Sequence, residues 1–283
     1  MTVLIKNITI KLIPVICAVT LLFFLDCTDS SVQPSYYDLE GRDDLKILLI
    51  GASYFELYDV PEKLFELAAS TGKTIQIERA IESGMFLDDL CNAGFVIEAI
   101  KEDRWDFVVF HGAGVPAAYP DTHHNITPIY DYHPLFESLK TLANRIKNNH
   151  SETVPVYMMN WAFEDGMTWI PGQTDTFEDM QLKIYNNTIN WAQQLDLTIA
   201  PVGWAWNKVV NERNDIKLFL SDYNHQNNAG AYLIACVIYD VIFGQPLLEA
   251  KFTAGMSSSI GYYLQRTANS IVFENLKLWN IKY

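Results

Sequence analysis

The sequence predicts an α/β protein of three layers, a five-stranded parallel sheet between two sets of helices. Three observations carry that expectation. Short apolar runs alternate with amphipathic segments along the chain, the order that a parallel sheet with crossover helices produces. Several runs are apolar at consecutive positions, as in LKILLI at 45–50 and WDFVVF at 105–110, so both faces of those strands must be covered. The chain has 283 residues, 49% hydrophobic and 19% charged, enough to build a large core without disulfide or metal staples.

Taken in order, residues 1–26 read as an export signal. Lys6 and Lys11 precede an apolar stretch over 12–25, which is short for a membrane span and suits the core of a secretory signal. Cys27 at its end resembles the lipidated cysteine of bacterial lipoproteins, which implies a membrane anchor. Asp26 stands where that motif has a small residue, so cleavage near Ser30 and an uncleaved anchor remain alternatives. Residues 27–44 are polar and aperiodic, a tether. The domain then covers 45–283, with no internal repeat and no second composition regime.

Strand one, 45–50, ends at Gly51. Pro61, suited to a first helical turn, and Gly72, suited to a helix end, bracket a helix over 61–70. Residues 74–81 alternate as strand two, 88–101 have helical spacing, and 105–110 form strand three. An amphipathic helix over 134–148 leads to strand four, VPVYMM at 154–159. A helix over 177–195 leads to a short strand at 197–200. An apolar helix over 228–243 and another over 258–273 complete the chain.

Composition removes several functions. With 34 Asp and Glu against 20 Lys and Arg, the net charge is −14, and nucleic acid has no basic face to bind. Cys17, Cys27, Cys91 and Cys236 include no Cys-x-x-Cys pair. There is no phosphate loop, and Gly112-Ala113-Gly114 is not a dinucleotide fingerprint. The expected partner is a small-molecule or glycan ester, with membrane contact only through the N-terminal anchor and no cofactor.

In a parallel sheet, ligands gather beyond the C-terminal strand ends, here 51–54, 82–84, 111–114, 160–161 and 201–206. Ser53 directly follows strand one, where a serine hydroxyl meets free backbone N–H groups; common turn chemistry would place a serine there as well. Downstream, Asp222 precedes His225 by three residues. Such an aspartate can accept one imidazole N–H and leave the other nitrogen free to take a proton. The bland alternative is a helix-entry loop in which Asp and Asn cap the helix that follows.

Together these segments resemble the SGNH hydrolases, the GDSL esterase and lipase superfamily, and more closely its bacterial branch with a Gly-Asn-Ser-Tyr first block. KILLIGASYFELYDVPEKLFELAAS is similar to that opening, with Ala52 at the branch's Asn. Ile81-Glu82-Ser83-Gly84-Met85 is similar to the second block, WDFVVFHGAG to the third strand and loop, and IAPVGWAW and LFLSDYNHQNNAGAYLIACVIYDVIFG to the closing region. The likeness spans about residues 45–250. It implies a five-stranded flavodoxin-like sheet in an α/β/α sandwich and a cofactor-free serine esterase. Ser53 would be the nucleophile, His225 the base and Asp222 its acid, with the N–H groups of Ser53 and Gly84 holding the oxyanion.

One departure bears on activity. The family's third block supplies an Asn donor to the oxyanion, and His111-Gly112-Ala113-Gly114 contains none. One such donor contributes about 3 kcal/mol of transition-state stabilisation. Either His111, the Gly114 N–H or Asn160 replaces it, or the chain is a weak catalyst or a binding lipoprotein on the same fold. His111 has a second reading as a buried, hydrogen-bonded histidine. A competing site is zinc held by His123, His124 and His133 with Asp121 and Asp131, although Pro116, Pro120, Pro128 and Pro134 mark that stretch as an irregular loop or a lid. Trp161, Trp169, Trp204 and Trp206 fall at expected strand ends or loops, where a ring can stack on a sugar. The functional expectation is an exported esterase acting on O-acyl groups, O-acetyl included, of a glycan.

Overall fold

The computed structural model describes residues 44–120, 135–168, 172 and 174–282. The export segment, Cys27, the tether up to residue 43, Trp169 and the His123, His124 and His133 loop lie outside the described residues.

The consecutive apolar runs become the middle of a parallel sheet. Strands β1 (Asp44–Gly51), β2 (Thr74–Ile81), β3 (Phe107–Phe110), β4 (Val154–Met158) and β5 (Thr198–Ala200) lie in the order β2-β1-β3-β4-β5, all parallel. This is the flavodoxin-like order the resemblance implied. β3 and β4 are buried at every position, while β2, on the edge, exposes Thr74, Gln76, Glu78 and Arg79 and buries Ile75 and Ala80. Pro155 sits in β4 opposite Val108, one residue before β5 begins to pair, at a position where β5 forms no ladder with it.

Helices α1 (Ser53–Glu56), α2 (Val60–Ser70), α3 (Leu87–Leu90), α4 (Gly94–Glu102), α5 (Gly114–Ala118), α6 (Leu135–Asn149), α7 (Phe177–Leu195), α8 (Val202–Glu212), α9 (Asn228–Phe243) and α10 (Ser258–Glu274) cover the sheet. α9 is buried from Gly230 to Phe243 and packs on α2, α8 and α10; α6 packs on α3, α4 and α7. A helix apolar on all sides, as α9 is, needs cover on all sides. Among the described residues, no helix is long and apolar enough to cross a membrane.

Two expectations are corrected. The helix expected over 88–101 is two helices. Asn92 and Ala93 turn between them, with N–H bonds back to Asp89 and Leu90, and Arg145 of α6 donates to the Cys91 carbonyl that a continuous helix would have used. Asn and Gly94 are poor helix formers, so the break falls there. The stretch 201–206, read as a strand-end loop, begins α8. Val202, Ala205, Trp206 and Val209 form its buried face at helical spacing.

Candidate active site

All five strands point their C-terminal ends to one rim, and the site is assembled there. Gly51 ends β1 and is required by close approach. A Cβ at this position would lie 2.3 Å from Nε2 of His111, which follows β3. The imidazole of His111 fills that space and is 3% exposed. Nε2 accepts the Ala52 N–H at 3.0 Å and Nδ1 donates to the Gly112 carbonyl at 2.9 Å, an assignment forced by the backbone partners. Both ring nitrogens are therefore occupied, and burial pushes the pKa down to about 4. His111 is thus the buried, hydrogen-bonded histidine of the second reading, and it has no N–H left for an oxyanion.

The Ala52 anchor sets the start of α1, whose first residue is Ser53. Its Oγ lies 2.9 Å from Nε2 of His225, 172 residues away in the chain. Nδ1 of His225 is 2.6 Å from Oδ2 of Asp222. The other carboxylate oxygen, Oδ1, accepts the N–H groups of Asn224 at 3.1 Å and His225 at 2.9 Å. Burial raises the Asp222 carboxyl, but the hydrogen bonds from the His225 ring and these two N–H groups outweigh it and hold the group below its ordinary range. An ionised Asp222 keeps a proton on Nδ1 and leaves the Nε2 lone pair facing the Ser53 hydroxyl.

The loop that presents His225 is tied down on both sides. Leu220 N–H donates to the His225 carbonyl at 2.7 Å, and Glu164 N–H to the Tyr223 carbonyl at 2.8 Å. Trp161 Nε1 donates to the Asn224 carbonyl at 2.8 Å, and the Tyr54 hydroxyl to Asn224 Oδ1 at 2.7 Å. Tyr223 has φ +62°, a left-handed conformation that a tyrosine adopts at some cost and that lets Asp222 fold back on His225. Asn227 then caps α9 by accepting from Ala229 and Gly230, so the capping reading of this loop holds alongside the site geometry.

A cavity of about 240 Å³ opens at Ser53 and His225. Gly84, with φ +85° after β2, is in its wall; the left-handed conformation favours glycine there. Gly114 lines it too. The N–H groups of Ser53, Gly84 and Gly114 donate to no acceptor among the described residues, and all three residues line the cavity. The rest of the wall includes Met85, Phe86, Leu87, Val115 and Phe163 and, among the described residues, no Lys, Arg, Asp or Glu.

The backbone at Gly114 leaves little room for an Asn side chain: a Cβ there would lie 2.9 Å from the Trp161 carbonyl oxygen. Asn160 does not replace that donor. It is fully buried and is absent from the cavity wall, and its Nδ2 donates to the Gly112 carbonyl at 2.9 Å. Asn160 and His111 thus hold the same carbonyl and shape the loop from behind.

The tryptophans are also corrected. Trp161 and Trp206 stack on each other at 4.2 Å and 5°, both buried, and Trp204 packs on Tyr185 at 4.4 Å. None of the three lines the cavity. Among the described residues, no group of three or more His, Cys, Asp or Glu is placed to hold a metal ion, and the His123, His124 and His133 loop lies outside them. Asn224 and Tyr54 line the cavity as well; no motif in the sequence singles out Asn224, and Tyr54 lies inside the Gly-Ala-Ser-Tyr block.

No family model matches the sequence, and no curated protein matches it significantly. Solved structures do. A DUF4886 family protein from Bacteroides uniformis superposes with a TM-score of 0.67 at 18% identity, covering 82% of this chain and 96% of that one. A candidate SGNH hydrolase from Slackia heliotrinireducens gives 0.56 at 20% identity, covering 70% and 98%. A catalytic mutant of an acetylxylan esterase from Geobacillus stearothermophilus gives 0.51 at 15% identity, covering 72% and 95%. The chain has the SGNH-hydrolase fold, a five-stranded parallel sheet in an α/β/α sandwich.

The His111 geometry makes a stability prediction. An unfolded imidazole titrates near its ordinary 6.5 and the folded one near about 4. Between those values the unfolded chain binds more protons, so the stabilisation is complete above the upper value and is lost as pH falls through the window. The loss is on the order of 3 kcal/mol. Urea midpoints followed from neutral pH down to the lower value should fall more steeply in wild type than in His111→Gln, whose side-chain oxygen can still accept the Ala52 N–H. Parallel profiles would contradict the assignment.

Proposed function

We propose that the chain is a serine esterase that hydrolyses neutral O-acyl esters. What supports the reading most is the unbroken hydrogen-bond line at the rim, Ser53 Oγ to His225 Nε2 at 2.9 Å and His225 Nδ1 to Asp222 Oδ2 at 2.6 Å, beside a cavity with free backbone donors. Ser53 Oγ attacks the ester carbonyl carbon while its proton passes to His225 Nε2. The carbonyl oxygen takes the negative charge, facing the N–H groups of Ser53, Gly84 and Gly114. Collapse breaks the bond to the alcohol, which leaves with the proton from His225. Water, deprotonated by His225, then attacks the acyl-serine, and its collapse releases the acid and restores Ser53. Asp222 keeps the ring oriented and stabilises the imidazolium.

The cavity wall bears on the substrate. Among the described residues it has no Lys or Arg as a counter-ion for a charged acyl group, and its apolar side chains suit a hydrocarbon one. The likeness to an acetylxylan esterase fits a carbohydrate ester, and residues 1–26 fit delivery outside the cytoplasm, with Cys27 as the anchor. A second reading, a binding protein on this fold, is favoured by the absence of a side-chain oxyanion donor at 111–114. Release of p-nitrophenol from acetyl and butyryl esters, followed with protein dialysed against a chelator, tests both. Steady hydrolysis that survives dialysis is expected. No release above buffer favours the binding reading, and loss on dialysis the zinc one.

A further inference from the structure

We propose that Gln226, the residue after the base, is a positioning residue that sets the distance between nucleophile and base; this rests on the esterase reading above. The turn carrying Ser53 is short. α1 is a four-residue helix, held by the Leu57 N–H on the Ser53 carbonyl and by the Phe55 and Glu56 N–H groups on the Ala52 carbonyl. Gln226 adds a side-chain donor that comes from the segment carrying the base. Its Nε2 lies 2.9 Å from the Leu57 carbonyl, 3.0 Å from that of Tyr54 and 3.3 Å from that of Ser53. One amide group therefore spans the backbone of the nucleophile turn.

The other end of this arm is fixed as well. Gln226 is fully buried and pairs in an antiparallel bridge with Phe219; Leu220 N–H donates to the His225 carbonyl and Asn227 N–H to the Leu218 carbonyl. Ser53 and His225 thus sit on two segments joined by a short, buried side chain. The Gln226 carbonyl oxygen finds no hydrogen-bond partner among the described residues. A buried amide left with an unpaired acceptor is costly, so its donor side is what the position needs. Gln226 does not line the cavity, so its loss should act on the chemical step and leave substrate binding nearly unchanged.

Three variants test this. Gln226→Leu keeps the bulk and removes the donor; kcat should fall about 10- to 100-fold with KM changed less than about 3-fold. Gln226→Glu cannot donate when ionised and can when protonated, so its kcat relative to wild type should rise as pH is lowered, a response that a loss of packing alone does not give. Gln265→Leu is the control. Gln265 is equally buried, bonds to Ala250 and the Tyr232 hydroxyl, and lies on α10 outside the cavity wall, so its loss should lower the melting temperature without lowering kcat. A Gln226→Leu enzyme with wild-type kcat, or a flat Gln226→Glu ratio, overturns the proposal. If Gln226→Leu does not fold, the Gln226→Glu ratio decides alone. Absence of Ser53-dependent hydrolysis in the wild type would overturn the esterase reading together with this one, and is seen separately.

Discussion

Ser53→Ala is expected to lower kcat/KM for a neutral p-nitrophenyl ester by about ten-thousand-fold or more, with the fold and melting temperature nearly unchanged. Removing the hydroxyl leaves no acyl acceptor, and water in its place lacks the fixed orientation that a side chain on α1 provides. Members of such a relay act as a unit, so His225→Ala should cost about as much, and the double variant little more than either single one. The remaining rate would come from the cavity and its backbone donors. Steady-state kinetics on the three proteins checks this. Additive losses would mean that the two residues do not share a step.

Asp222→Asn should be the next most damaging change after these, and the geometry says why it should be at least as severe as Asp222→Ala. In the wild type, Oδ1 receives two backbone N–H groups and Oδ2 receives the ring. An asparagine must keep its oxygen toward the two backbone donors, which turns its NH2 toward His225 Nδ1. The ring proton then moves to Nε2, and Nε2 becomes a donor facing Ser53 instead of an acceptor. The expected loss in kcat is about 100- to 10,000-fold. Alanine removes the orienting group without enforcing the wrong tautomer. An Asp222→Asn enzyme clearly faster than Asp222→Ala would show that tautomer control is not what Asp222 contributes.

Much of the fold was legible because buried parallel strands write themselves as consecutive apolar runs. LKILLI and WDFVVF were read this way, and both lie in the centre of the sheet. The Ser53 and His225 segments were legible as local blocks, each with an ordinary alternative, and neither block could show that the other meets it. What the sequence hid depends on long-range packing. The stretch 112–114 reads as a loop that lacks the family's Asn, and nothing in it shows that a Cβ at Gly114 would crowd the Trp161 carbonyl. His111 and Asn160 offered the right atoms for an oxyanion, but both turn to the Gly112 carbonyl. Trp206 reads as a strand-end ring because 201–206 follows the fifth strand, but residues 202–209 have helical spacing and the ring lies in the core. Gln226 gave no signal, since the carbonyls it serves are about 170 residues away.

In the proposed reaction one nucleophile is activated by one imidazole. Reaction with a fluorophosphonate followed by peptide mass spectrometry reads that directly. One adduct per chain, on the peptide that contains Ser53, is the expected result, with labelling strongly slowed in His225→Ala. Adduct on a different residue, or labelling of Ser53 that is indifferent to His225, would contradict it.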